Sequence, residues 1–227
     1  MQVIEIFKSL QGESSYSGLP CVFVRLAGCN LRCVWCDSEY TFKGGMRMTI
    51  DEVVLEVHRQ SPNGGLVEIT GGEPLLQARE AVVLMDRLIS AGYKVLLETS
   101  GERPLDRVPS QVVKIVDVKC PDSGEGETFC LENLQFLTPN DELKFVLASR
   151  RDYEFARAFI RAHDLSSQIS SVILSPAFRK DATGSRDVSH CLLDPRLLAE
   201  WMLADELNAR LGLQIHKFIW DPAMKGV

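Results

Sequence analysis

The chain has 227 residues, a formal net charge of −6, 45% hydrophobic and 25% charged residues. That balance is ordinary for a folded domain and argues against a broad phosphate-binding surface. No apolar run approaches the ~20 residues needed to span a bilayer. The first eight residues have neither the basic start nor the apolar core of a secretory signal, so a cytoplasmic location with reduced thiols is expected.

Taken in order, residues 4–7 alternate briefly, and 9–14 (Ser-Leu-Gln-Gly-Glu-Ser) read as a polar turn. Residues 20–26 read as a buried strand with one charged side chain, Arg25. An arginine in an apolar run is costly unless paired or facing a site. Two readings stay open: a salt bridge, with Glu13 as the candidate partner, or a clamp for a carboxylate, which guanidinium binds bidentately. The next stretch, 28–37 (Gly-Cys-Asn-Leu-Arg-Cys-Val-Trp-Cys-Asp), places Cys29, Cys33 and Cys36 in a C-x3-C-x2-C spacing. Structural cubane clusters use four cysteines. Three therefore suggest a [4Fe–4S] cluster with one iron open to an amine and a carboxylate. A structural zinc site would need a fourth ligand, and none of the other cysteines or histidines stands in a C-x2-C pair. A disulfide framework suits short secreted chains, not one with an odd seven cysteines in this length.

Thr49-x-x-Glu52 is a capping box ahead of Ile50, Val53, Val54 and Val57 at helical spacing. Residues 66–70 are a strand ending in Gly71-Gly72-Glu73-Pro74, where the glycines allow close approach of backbone to a ligand. A helix over 75–91 carries Ala78, Val82, Met85 and Ile89 on one face and stops before Gly92. Strands follow at 93–99, ending Glu98-Thr99-Ser100-Gly101, and at 112–118, running into Asp117-Val118-Lys119-Cys120-Pro121. Residues 121–140 are irregular. A strand at 142–147, a helix at 150–163 behind Ser149-x-x-Asp152, and a strand at 171–175 come next. Asp194-Pro195 opens a helix with Leu197, Trp201, Ala204 and Leu211 on its face, ended by Gly212. Residues 213–219 alternate as a last strand. Strands and helices alternate but several crossovers lack a helix. The fold class is therefore α/β, a single 1–227 domain forming a partial, splayed TIM-like barrel.

The cysteine loop with its aromatic Trp35, followed one strand later by Gly-Gly-Glu-Pro, resembles the radical S-adenosylmethionine superfamily. Leu10-Gln11-Gly12-Glu13, the Arg25 strand, the loop running into Asp37-Ser38, Thr70 before the glycines, and the ending 214–220 (Gln-Ile-His-Lys-Phe-Ile-Trp) narrow it. Together they are similar to the 7-carboxy-7-deazaguanine synthase family over nearly the whole chain. Ser14 stands where that family often has glycine, and Ser38 where threonine is usual.

The resemblance implies a ring contraction of 6-carboxy-5,6,7,8-tetrahydropterin to 7-carboxy-7-deazaguanine and ammonia, an early step toward queuosine and other 7-deazapurines. It implies a [4Fe–4S] cluster on Cys29, Cys33 and Cys36, S-adenosylmethionine, and Mg2+ with Ser38 as its hydroxyl ligand. Trp35, Cys36, Asp37, Gly72, Glu73, Ser100, Asp117, Val118 and Lys119 are then candidates for the cofactor. Leu10, Gln11, Gly12, Glu13, Arg25, Thr70, His216 and the carboxylate of Val227 are candidates for the pterin. An electron donor such as flavodoxin or ferredoxin and a homodimer are expected, and no nucleic acid or membrane. Other readings of the cysteine loop are a glycyl-radical-enzyme activating protein, an iron–sulfur electron carrier and a zinc-stabilised interaction module.

Overall fold

A computed structural model describes residues 1–227, apart from the side chain of Ser166. The short alternating start is β1 (Gln2–Leu10), paired antiparallel with β2 (Pro20–Leu26) and on its outer side with β3 (Met46–Arg47). From β2 every pairing is parallel, through β4 (Gly65–Gly71), β5 (Tyr93–Thr99), β6 (Val113–Asp117), β7 (Glu142–Leu147), β8 (Ser171–Pro176) and β9 (Arg210–Leu211). The sheet runs β3-β1-β2-β4-β5-β6-β7-β8-β9 and does not close. This is the splayed, incomplete barrel expected from the missing crossover helices: β5 reaches β6, and β6 reaches β7, with no α-helix between.

Local signals set the helices. In α1 (Ile50–Gln60) the Thr49 hydroxyl accepts from the Glu52 N–H at 3.2 Å, and the Glu52 carboxylate accepts from the Thr49 N–H at 2.7 Å. α3 (Arg150–Ala162) starts on the Ser149 hydroxyl. α2 (Ala78–Ser90) follows a single 3-10 turn at Pro74–Gln77, and Gly92 stands just beyond it at φ +87°. α4 is a short turn, Leu165–Gln168. No helix among the described residues is long and apolar enough to cross a membrane.

Period-two alternation divides each strand between two surroundings. Val22, Val24, Val67, Ile69, Val95 and Leu97 join the large core under the helices. Cys21, Phe23, Leu66, Leu96, Val113 and Ile115 form a second, inner cluster. Further along the same inner faces, toward the C-terminal strand ends, the side chains become polar: Arg25, Glu68, Thr70, Glu98, Asp117 and Lys144. The inner surface therefore has an apolar floor and a charged mouth, and functional loops of such folds leave from that mouth.

Three sequence expectations change. The buried stripe of α2 is Ala81, Leu84, Met85 and Leu88, with Val82 only half-buried. Its apolar arc is broad, so spacing alone places the stripe about one residue off. α5 (Pro195–Ala204) ends well before Gly212, buries Leu198 and Met202, and leaves Leu197 exposed; Leu211 belongs to β9. The stretch 213–219 is not a strand. It turns inward and forms the short α6 (His216–Ile219). The Ile215 N–H donates to the Gly12 carbonyl at 3.0 Å, so contact with the N-terminal loop, not a sheet edge, decides its backbone.

Candidate active site

At the C-terminal ends of β2 and β4–β7 lies a cavity of about 360 Å³. The cysteine loop leaves β2 and forms one wall. Gly28, at φ +97°, donates its N–H to the Thr41 carbonyl at 2.8 Å and accepts the Glu73 N–H at 2.9 Å. A Cβ on Gly72 would meet the Gly28 oxygen at 2.4 Å and the Cys29 Cβ at 2.6 Å. The glycine pair after β4 thus lets that strand end pack directly on the cysteine loop. The Arg32 guanidinium closes the loop from outside, donating to the Cys29 carbonyl at 2.9 Å and the Leu31 carbonyl at 2.6 Å while lying over the Phe42 ring.

Cys29, Cys33 and Cys36 line the cavity as free thiols. Burial pushes the Cys33 thiol up to about 11, and the Cys29 and Cys36 thiols also rise through burial. Lys119 counters this at all three. Among the described residues no three His, Cys, Asp or Glu side chains converge tightly enough for a single ion. Three free thiols at one cavity suit a multi-iron cluster, in which each thiolate takes its own iron.

Of the residues read as cofactor contacts, Trp35, Cys36, Asp37, Gly72, Ser100, Asp117 and Lys119 line this cavity. Glu73 and Val118 do not. The Glu73 carboxylate is buried and accepts from the Leu75 N–H, the Thr99 hydroxyl, the Ser100 N–H and the Ser100 hydroxyl, all within 2.9 Å. It ties the ends of β4 and β5 together. Val118 is fully buried, its N–H bonded to the Lys144 carbonyl. Asp117 keeps one oxygen without a partner: Oδ2 accepts from Lys119 at 2.8 Å, while buried Oδ1 has none. An orphaned acceptor on the cavity wall fits a ligand rich in hydroxyl or amine donors.

The same cavity is lined by every residue read as a pterin contact: Leu10 to Glu13, Arg25, Thr70, His216 and Val227. The Gln11 Oε1 accepts the N–H groups of Glu13 and Ser14, and its Nε2 donates to Glu68 at 2.9 Å. The ring of His216 lies so close to Gly12 that a Cβ there would be 2.3 Å from Nδ1. Burial lowers the His216 pKa and favours a neutral imidazole. Glu13 accepts from Lys144 at 2.6 Å and from Gln214 at 2.9 Å. Burial opposes its charge, but Lys144, His216 and Lys217 outweigh that and hold its pKa at about 2. Arg25 does not pair with Glu13. Its Nε donates to Glu5 at 2.9 Å, and the Tyr40 hydroxyl donates to the same Glu5 oxygen at 2.7 Å. Ser38, on the same wall as Asp37, donates to the Asp37 Oδ1 at 2.9 Å, and the other Asp37 oxygen accepts from Lys217 at 2.6 Å.

Sequence reasoning missed Glu68, Glu98, Lys144, Gln214 and Lys217, all of which line the cavity. A signal existed for two of them. In the apolar strands β4 and β7 the charged Glu68 and Lys144 sit at alternate positions, which puts them on the inner face.

Three comparisons bear on this geometry. The profile of the Radical SAM superfamily matches residues 24–119. A Koribacter versatilis protein named 7-carboxy-7-deazaguanine synthase is 68% identical over 227 residues, the full length of both chains. One of the same name from Chlorobaculum tepidum is 43% identical over 231 residues, covering 100% of this chain and 97% of its own. The crystal structure of QueE from Escherichia coli superposes with a TM-score of 0.68 over 93% of each chain, at 24% identity, a likeness of fold.

Proposed function

The chain belongs to the 7-carboxy-7-deazaguanine synthase family, and we infer that it converts 6-carboxy-5,6,7,8-tetrahydropterin to 7-carboxy-7-deazaguanine with loss of ammonia, as a radical S-adenosylmethionine lyase. The observation that carries this is one cavity lined by three free thiols together with carboxylate, guanidinium and imidazole groups. When bound, the [4Fe–4S] cluster and S-adenosylmethionine supply the one-electron cleavage that removes a hydrogen atom from the substrate. The protein holds and orients both partners, in keeping with the usual division of labour.

Cys29, Cys33 and Cys36 hold the cluster. Trp35, Ser100 and Asp117, with its unpartnered oxygen, contact the cofactor. Arg25 pairs with the pterin carboxylate, since only its Nε is engaged by Glu5. Glu13, ionised and fixed from two sides, accepts the donors of the pyrimidine edge, with neutral His216 and Val227 beside it. Glu73 supports the strand ends behind the cofactor. Mg2+ joins only with substrate: Ser38 supplies one neutral oxygen, and the ion prefers six, several of them water. A flavodoxin or ferredoxin as electron donor and a homodimer complete the reading.

The test is anaerobic loading with iron and sulfide, then assay with the carboxy-tetrahydropterin, S-adenosylmethionine and a reductant. Product and ammonia should appear together, and Cys29→Ala, Cys33→Ala or Cys36→Ala should each abolish them. Cleavage of S-adenosylmethionine without any pterin conversion would overturn the substrate assignment.

A further inference from the structure

Lys144 is 2% exposed in its side chain and has three carboxylate neighbours. Its ammonium bonds Glu13 at 2.6 Å, bonds Glu98, and lies 3.7 Å from Asp117. These come from three places: the loop after β1, the end of β5 and the end of β6. Lys114, on the neighbouring strand, shows what a purely structural buried lysine does here. It is equally buried and pairs with one fully buried carboxylate, Asp141, at 2.8 Å. Lys144 instead directs its three N–H donors at carboxylates that all line the cavity rather than the core, so its partners tie it to the site.

Glu13 and Asp117 both line the cavity, Glu13 beside Gln214 and His216 among the candidate pterin residues and Asp117 beside Lys119 among the candidate cofactor residues. The second oxygen of Glu13 is held by Gln214, and the second oxygen of Asp117 is buried without a partner. We propose that Lys144 is a positioning residue that joins the two halves of the site, fixing Glu13 against the pterin and Asp117 against the cofactor so that the two ligands keep one relative position. This rests on the substrate reading above. Misplacing reacting groups by about 1 Å costs on the order of a hundredfold in rate, so one rigid link between the two sets of contacts matters. The other charges around this link are Glu68 and Glu98 from β4 and β5, Lys119 beside Asp117, and His216 and Lys217 from α6.

The experiment compares wild-type holoenzyme with Lys144→Met and Lys144→Arg. Pterin affinity is measured on oxidised protein, where no turnover occurs. S-adenosylmethionine affinity, iron content and the ratio of deoxyadenosine to product are measured alongside. Lys144→Met should keep its iron, weaken the pterin about tenfold or more, and raise the deoxyadenosine-to-product ratio by a similar factor, as expected of lost alignment. Its pterin affinity should also fall as pH drops toward the ordinary carboxylate range, where the wild type stays flat, because burial of Glu13 is then less opposed. Should Lys144→Met fail to load iron, Lys144→Arg carries the test, since it keeps the charge and moves the head group; a deoxyadenosine-to-product ratio at least threefold above wild type supports the role. Full coupling and wild-type pterin affinity in the variant that loads iron overturn it. A wild type that never converts the pterin would instead sink the substrate reading.

Discussion

At the scale of single residues, the site works through charges that the interior would otherwise suppress. Arg25 is the clearest case. A charge-assisted contact to a carboxylate is worth about 1.5–3 kcal/mol, or roughly 10- to 100-fold in binding. Arg25→Ala should weaken the carboxylated pterin by that factor and leave S-adenosylmethionine affinity near normal; equal affinity in both proteins, measured by equilibrium dialysis, would remove the clamp. Glu68 gives a second prediction, on stability. Burial, and then Glu98, raise its pKa well above the ordinary carboxylate range. A raised folded pKa means the folded state keeps a proton that the unfolded state releases. Stability from Glu68 is therefore full below about 4.5 and falls as pH rises toward the folded value. Glu68→Gln cannot titrate, so its melting temperature should decline less than that of wild type between acid and neutral pH. Parallel curves would contradict this. From sequence, Arg25 was legible as a charge needing a partner, yet its partner was not. Glu5 lies on the adjacent antiparallel strand, in register with Arg25, and that pairing depends on where the loop between the strands ends.

At the scale of elements, punctuation was easier to read than faces. The capping residues Thr49, Ser149 and Asp194 all make the expected backbone contacts, because caps are set within one turn of chain. Helix faces failed where the apolar arc was wide, as in α2. The Gly71-Gly72 turn was legible as a close approach; the Gly28 backbone and Cys29 lie against Gly72, which also lines the cavity. Two substitutions separate these kinds of information. Thr49→Ala should cost about 1 kcal/mol of stability, as lost N-caps do, with iron loading unchanged. Gly72→Ala should instead push on Gly28 and Cys29, where a Cβ has under 3 Å of room. Its iron content should fall markedly while circular dichroism keeps the wild-type shape. Normal iron loading in Gly72→Ala would mean that the cysteine loop is free to give way.

At the scale of the whole molecule, the last residues come back to the loop after β1 and to the cysteine loop at the cavity. Lys217 reaches Asp37 across 180 residues, and Gln214 reaches Glu13 across 201. No local periodicity carries such pairings, which is why 213–219 looked like another strand while its backbone follows the N-terminal loop. The last residues extend this closure. Met224 to Val227 line the cavity, Lys225 lies over the Tyr40 ring at 4.3 Å, and Gly226 comes near Glu5. The tail thus lies beside the Glu5, Arg25 and Tyr40 group. It adds little to the fold itself: Met224 is 56% exposed, and the segment forms no helix or strand. Its contribution should therefore be to the ligand and not to stability. With the tail gone, water reaches the Arg25 guanidinium, and the effective dielectric around its contact with a carboxylate rises, which weakens attraction in direct proportion. Deleting 224–227 should raise KM for the carboxy-tetrahydropterin by about tenfold, a loss of about 1.4 kcal/mol. The melting temperature and the affinity for S-adenosylmethionine should stay close to wild type, because the cysteine loop and the sheet are untouched. Steady-state kinetics with both ligands and a thermal melt decide it. An unchanged KM would show that the tail only rests on the site, and a large drop in melting temperature would show that it belongs to the fold.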